Sequence, residues 1–401
     1  MEQVTSQDSS APRSLASILL PTLAGVSVVL CLPPLVTHLE SRNVAAAALV
    51  FWITLVNLFN FINPLIWPTD ELDTRWSGVG LCDVEVKLNL ASSTAIPGAL
   101  ICIFRQLAVI LDTDNTTLVP SRGQRHRRLA FEVIFCIILP MYMVVAHFIV
   151  QPFRYYLFAI SGCVPSFDSS WLGILLMFIP PLLLCAVAAG YCGLVVVRLL
   201  KYRQQFSTIL ASSHSKLNKT RFLRLFILST TLIVIFLPVA IYVFTRNLGY
   251  PRTTFSWSSV HGPEWSKLIV RVPTQGTVNF DRWLSVGIGY MTFLFFGFGS
   301  DATTMYRSWL LKLGLGRLFP KLDLGHLNSS NGGRPARTSD ATKIGSISSR
   351  AKLIFHRKQS AKTISTVHTR TDSAVTYMAH PSRVDTSQSK EQIVDGRLRL
   401  E

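Results

Sequence analysis

Apolar residues in this chain come in long blocks with little polar interruption. Seven such blocks follow one another, at roughly 14–36, 43–67, 81–111, 129–150, 171–200, 222–244 and 283–310. About 20 consecutive apolar residues suffice to carry a helix across a ~30 Å hydrocarbon core. A soluble helix of that length would keep a polar face at period 3.6, and these blocks lack one. The pattern predicts an all-α membrane protein, a seven-transmembrane helix bundle over residues 14–310. A short outer segment, residues 1–13, precedes it. After it the chain turns polar: residues 311–401 are rich in Ser, Thr, Lys and Arg and poor in aromatics, the composition of a disordered tail. No internal repeat is visible, which speaks against the repeat-built transporter folds.

Composition agrees with the pattern. Of 401 residues, 49% are hydrophobic and only 15% charged, and the mean hydropathy is +0.37. The net charge of +17 could suggest nucleic acid, but its placement excludes that reading. Arg122, Arg125, Arg127 and Arg128 follow the third block. Arg198, Lys201, Arg203, Lys216, Lys219, Arg221 and Arg224 surround the loop after the fifth, and the tail is dense in Lys and Arg. The loop between the second and third blocks holds Asp70, Glu71 and Asp73 against Arg75. The positive-inside rule then puts the N-terminus outside and the tail in the cytoplasm of a multi-pass plasma-membrane protein. The stretch from Arg246 to Arg282, with five basic residues, argues the other way and is outvoted. "MEQVTSQDSSAPR" has no basic region before a short apolar core, so the first block is expected to direct insertion itself.

Five of the seven cysteines, Cys31, Cys102, Cys136, Cys185 and Cys192, fall within blocks and read as small hydrophobes. Cys82, at the outer mouth of the third block, and Cys163, in the following outer loop, would face an oxidising space. A disulfide between them is the expectation, with two free thiols as the alternative. No cysteine spacing matches a zinc site. The sequons at Asn115, Asn218 and Asn328 all fall on the predicted cytoplasmic side and should carry no glycan.

Polar groups inside the blocks narrow the chemistry. Asn57, Asn60 and Asn63 recur every three residues and so line one helical face. They suit interhelical hydrogen bonds, ligand contact, or both. Pro64, Pro97, Pro140, Pro180, Pro181 and Pro238 interrupt most of the blocks, as expected for a bundle that bends. In "LCDVEVKLNLASSTAIPGALICIFRQL", Asp83 and Arg105 lie roughly 33 Å apart along a helix, about one membrane thickness. Asp83, Glu85 and Lys87 are therefore expected at the outer water interface and Arg105 at the inner face. There Arg105 either snorkels to lipid phosphates or meets a partner.

Catalytic signatures are missing. The sequence holds no G-x-S-x-G, H-E-x-x-H or phosphate-binding glycine loop. His147 is the only histidine within a block, and no Lys lies between Trp283 and Leu310 to form a retinal Schiff base. No enzyme activity and no cofactor are expected. A transporter or channel is the rival reading, yet it would want paired charges at mid-membrane, and here the charge gathers at the mouths of the spans.

Several motifs are more specific. In chain order they are "NLFNFINPLIW", "LCDVEVKL" with "IPGALICIFRQL", "VQPFRYYLFAISGCVPSF", "YCGLVVVRLLKYRQQF", "SKLNKTRFLRLFILS" and "FFGFGSDATTMYR". Over about residues 15–310 the sequence resembles the fungal mating pheromone receptors of the a-factor type, the class D G-protein-coupled receptors, and is most like the basidiomycete members. The resemblance implies a short farnesylated, methyl-esterified peptide as ligand. It also implies a heterotrimeric G protein as partner, feeding a MAP-kinase mating pathway. Such a ligand would want a greasy cleft with a polar rim. Asn60, Asn63 and Trp67 on the second span, Glu85 and Lys87 on the third, and Trp257, Trp265 and Arg271 in the last outer loop are the candidates for that rim. Arg105, Lys201, Arg203, Lys219, Arg221 and Arg224 are the candidates for the G-protein surface.

Overall fold

A computed structural model describes residues 13–112, 121–202, 219–298 and 306. Among them seven long helices account for the apolar blocks: α1 (Leu15–Glu40), α2 (Val44–Ile66), α3 (Leu81–Ile110), α4 (Arg122–Val150), α5 (Trp171–Lys201), α6 (Lys219–Leu248) and α7 (Phe280–Phe296). The first six are long and apolar enough to cross a membrane; α7 is described over 17 residues. Their outward faces are apolar: Val29 on α1, Val145 on α4 and Val234 on α6 are each 64% exposed. In water such faces would be a heavy liability, whereas in lipid they are the solvated surface.

Local chemistry sets the helix ends and bends. Ser14 caps α1 by accepting from the Ser17 amide, and Asn43 caps α2 by accepting from Ala46. Helix α4 widens into a π turn at Ile134–Ile138, just before Pro140, and α5 does so at Ile174–Phe178, just before Pro180. A proline ring collides with the carbonyl four residues earlier and offers no N–H, and a wider turn relieves both conflicts.

Helix α3 is the axis of the bundle. It packs against α2, α4, α5 and α6, while α1 lies against α2 and α7. Ala99, Leu100, Ile101, Ile103, Phe104 and Leu107 are fully buried, all on its second half. A Cβ on Gly98 would strike the Phe135 backbone carbonyl, so the glycine lets α3 and α4 approach closely.

A small sheet crowns one end of the bundle. Strands β1 (Tyr155–Phe158) and β2 (Gly162–Val164) form an antiparallel hairpin after α4. Strand β3 (Ile269–Val272), from the loop between α6 and α7, joins β1 in parallel, with Tyr155 opposite Ile269 and Phe158 opposite Val272. The helical reading of the sequence did not foresee this sheet. Three short strands leave no long periodic signal, and β3 pairs only because the bundle brings two loops together. The hairpin turn passes through Ile160 and Gly162 at φ 60° and 77°. The Ile160 amide donates to the Trp67 carbonyl at the end of α2 (2.8 Å), so the hairpin is pinned to the bundle.

Candidate functional site

Directly beneath the sheet, polar side chains from four elements meet in a buried knot. The α2 row Asn57, Asn60, Asn63 faces α7 and α3. Asn57 Nδ2 donates to the Ser285 carbonyl (2.9 Å), Asn60 Nδ2 to the Arg282 carbonyl (3.4 Å), and Asn63 Nδ2 to Glu85 Oε1 (2.7 Å) and the Ser161 carbonyl (3.3 Å). Glu85 also accepts from Asn89 (3.4 Å) and sits 3.9 Å from the Arg282 guanidinium. Arg282 reaches on to Asn60 Oδ1 (3.5 Å) and the Cys163 carbonyl (3.2 Å). The expectation for Glu85 at an open water interface needs correction: it is 0% exposed, as are Asn63 and Trp67. A buried carboxyl group is costly unless it is paired and hydrogen-bonded; Asn63, Asn89 and Arg282 all meet Oε1, and Oε2 finds no donor among the described residues.

Cys82 at the start of α3 and Cys163 in β2 form a disulfide, with Cα atoms 5.4 Å apart. It ties the hairpin to the top of α3 directly beside the knot. Trp67 packs with this bridge, is stacked on Trp76 and donates from Nε1 to the Trp76 carbonyl (2.7 Å). It forms part of the core and has no water-facing edge.

On another face of α3 opens a cavity of about 470 Å³, lined by Asp83, Lys87, Phe148, Gln151, Arg154 and Trp265 among others. Lys87 Nζ donates to Gln151 Oε1 (2.9 Å) and contacts His147 Nδ1 (2.7 Å), while His147 Nε2 faces the Ser166 carbonyl (2.9 Å). A carbonyl can only accept, so Nε2 carries the proton and Nδ1 accepts from Lys87. Arg154 grips Asp83 with Nε at 2.7 Å, and the carboxylate beside it holds its pKa above the usual value. Tyr155 next to it is pushed up to about 12, chiefly by burial. Trp265 donates to the Gln151 carbonyl (2.7 Å), and Trp257 lies 53% exposed, stacked on His261 with ring centres 3.8 Å apart. Arg271, on β3, pairs with the exposed Asp73 (3.3 Å). Of the predicted rim, Lys87 and Trp265 share this cavity, and Trp257 adjoins it through Phe148 and His261; Asn60, Asn63 and Glu85 share the knot; Arg271 stands apart on the surface.

A second cavity, about 390 Å³, lies between α2, α3, α5, α6 and α7. Its walls are mainly apolar, with Ile53, Ile96, Phe178, Phe236 and Val239 among them, and Asn89, Asp281 and Arg282 also line it. It is the size of a small-ligand site and has the usual make-up of one: a greasy chamber with few polar groups. Arg282 therefore belongs to both the cavity and the knot.

The sequence matches the pheromone A receptor family over residues 19–314. The chain belongs to that family. It is 30% identical to the pheromone a factor receptor of Saccharomyces cerevisiae over 73% of this chain and 61% of that protein. It is 28% identical to pheromone receptor 1 of Mycosarcoma maydis over 72% of this chain and 82% of that one, and 29% identical to pheromone receptor 1 of Ustilago hordei over 73% and 82%. The molecule is thus a multi-pass, seven-helix membrane receptor, and the resemblance read from its motifs holds.

The end of the receptor away from the sheet carries the other candidate residues. Arg105 lies over the Phe131 ring, 4.2 Å from its centre, and Lys201 lies 4.9 Å from the Tyr202 ring. Arg221 and Arg224, half-exposed, stand on the first turns of α6 with Lys219, and Arg203 falls outside the described residues. Sequence reasoning missed two arginines. Arg198 on α5 pairs with Asp112 (3.1 Å) and donates to the Ala108 carbonyl, joining α5 to the end of α3. Arg282 was counted only as a loop charge. Its signal was weak: it stands one residue before an apolar block, where a long basic side chain more often reaches the interface than the bundle interior.

Proposed function

We propose that the receptor binds a farnesylated peptide pheromone in the cavity between α2, α3, α5, α6 and α7. It then activates a heterotrimeric G protein that feeds a MAP-kinase mating pathway. The observation that carries this reading is the cavity's double character. A prenyl chain needs apolar walls and the peptide beside it needs hydrogen-bonding groups; apolar side chains from α2, α3, α5 and α6 together with Arg282 and Asn89 meet both needs. The pheromone receptors among its relatives support the same reading.

Orientation follows from charge and redox. The disulfide supports placing the sheet end, with the N-terminus, outside the plasma membrane, where a disulfide persists. The basic loops and the tail then face the cytoplasm. The contrary charge between α6 and α7 weighs little against this, because Arg271 pairs with Asp73, Arg252 donates to the Asn247 and Ser169 carbonyls, and Arg282 is buried beside Glu85. On the cytoplasmic side, Arg105, Lys201, Arg203, Lys219, Arg221 and Arg224 offer a basic surface for the G protein.

The test is a mating reporter in a receptor-null fungal cell, challenged with farnesylated peptides and their unprenylated counterparts. Response to prenylated peptide alone, lost when the G protein is deleted, is the expected outcome. Solute flux in vesicles with no G-protein-dependent response would favour a transporter and overturn the reading.

A further inference from the structure

Arg282 is placed unlike the other polar groups of the cavity. The serine hydroxyls that line it spend their hydrogens on their own helices: Ser92 on the Asn89 carbonyl (2.6 Å), Ser93 on that of Leu90 (2.7 Å), Ser285 on that of Asp281 (2.8 Å). Asn89 directs its amide at Glu85. A guanidinium has five N–H groups. Those of Arg282 are thinly used, with contacts at 3.2 Å to the Cys163 carbonyl, 3.5 Å to Asn60 and 3.9 Å to Glu85. Among the described residues, its buried Nε finds no hydrogen-bond acceptor, and Glu85 Oε2 finds no donor. Asp281 Oδ2 lies 3.6 Å from Nε, beyond hydrogen-bonding range, on a side chain that is 67% exposed. A buried donor left unmet, on a side chain that lines a cavity, is a demand for an acceptor oxygen.

We infer that Arg282 reads a carbonyl oxygen on the lipid-bearing terminal residue of the ligand, while the prenyl chain fills the apolar part of the same cavity. This rests on the lipopeptide reading above and adds to it the group that recognises where lipid meets peptide. The geometry also gives binding a consequence. Arg282 bridges α2 through Asn60, α3 through Glu85 and the disulfide-tied hairpin through the Cys163 carbonyl. An acceptor that draws the guanidinium toward itself loosens its weak 3.9 Å contact with Glu85, and Glu85 then keeps Asn63 and Asn89 as donors. Arg282 is thus a specificity residue whose shift is felt by three elements at once.

Two small probes isolate the claimed contact with the terminal ester: N-acetyl-S-farnesylcysteine methyl ester, which carries the ester carbonyl, and N-acetyl-S-farnesylcysteamine, which keeps the acetyl amide and lacks the ester. Binding is read as thermal stabilisation of the full-length receptor in nanodiscs. The unaltered receptor should bind the ester about tenfold or more tighter than the cysteamine compound, the ratio expected for one charge-assisted hydrogen bond. Arg282→Gln should bind both probes at the weaker level, so the substitution and the missing carbonyl do not add. Arg282→Lys, which keeps a donor, should recover part of the preference and serves if Arg282→Gln fails to reach the membrane. Equal affinity of the unaltered receptor for the two probes, an equal loss for both in Arg282→Gln, or no stabilisation by either would overturn the inference. Failure here alongside a prenyl-dependent reporter response would leave the lipopeptide reading standing.

Discussion

Removing the Cys82–Cys163 bridge should weaken the receptor at its sheet end and little elsewhere. The bridge closes a loop of sequence separation 81. A freely flexible chain closed over that length would lose about 4.5 kcal/mol of stabilisation when opened. That figure is an upper bound, because most of the loop is α3 and α4, which lipid keeps helical even in a disordered bundle. About 2–4 kcal/mol is the reasonable expectation. Both sulfurs are fully buried in a cluster with Trp67, Val86, Tyr155 and Leu157, so alanine also removes packing there. Cys163 further presents its carbonyl to Arg282, and a hairpin set free of α3 would move that acceptor. Cys82→Ala, Cys163→Ala and the double variant should each lower the thermal midpoint of the purified receptor by several degrees and weaken the pheromone response. The double variant should be no worse than either single, because all three delete the same bond. Surface expression, measured by flow cytometry, separates a folding loss from a binding loss. Additive defects, or mass spectrometry finding both thiols free in receptor from the cell surface, would refute the reasoning.

Other outcomes follow from the same geometry. Gly162→Ala should cost about 1–3 kcal/mol, since φ is 77° and the new Cβ would overlap the Asn63 amide that holds Glu85; an unchanged thermal midpoint would contradict this. Neutralising Lys201, Arg203, Lys219, Arg221 and Arg224 together with Arg105 should abolish signalling while surface level and pheromone binding stay near normal, and full signalling by that variant would place the G-protein contact elsewhere. An epitope tag in the tail should be reached by antibody only after permeabilisation, and a glycan on Asn115, Asn218 or Asn328 would reverse the assigned orientation. Lys87→Met should leave His147 Nδ1 and Gln151 Oε1 without their donor, lowering stability by about 1–3 kcal/mol, read as a drop in thermal midpoint.

The spans were legible in the sequence because the rule that makes them is local. A backbone in lipid must satisfy its own hydrogen bonds, so a long apolar block has one solution, a helix, wherever the rest of the chain lies. Block 81–111 became α3 and block 171–200 became α5 within a residue or two for that reason. The three-residue recurrence of Asn57, Asn60 and Asn63 likewise showed a polar face, since it depends only on helical pitch. What that face meets was not legible. Asn63 and Glu85 are 22 residues apart and Asn60 and Arg282 are 222 apart, and nothing in either local sequence names the other. Glu85 looked like a rim residue because its neighbours Asp83 and Lys87 are charged. Its burial was decided by the helices that close over it, and its charge is tolerable there because Arg282 and Asn63 arrive from other helices to join Asn89, one turn further along α3. The parallel pairing of β1 with β3 has the same origin: four-residue strands carry too little pattern to declare themselves, and only the packed bundle sets their edges side by side.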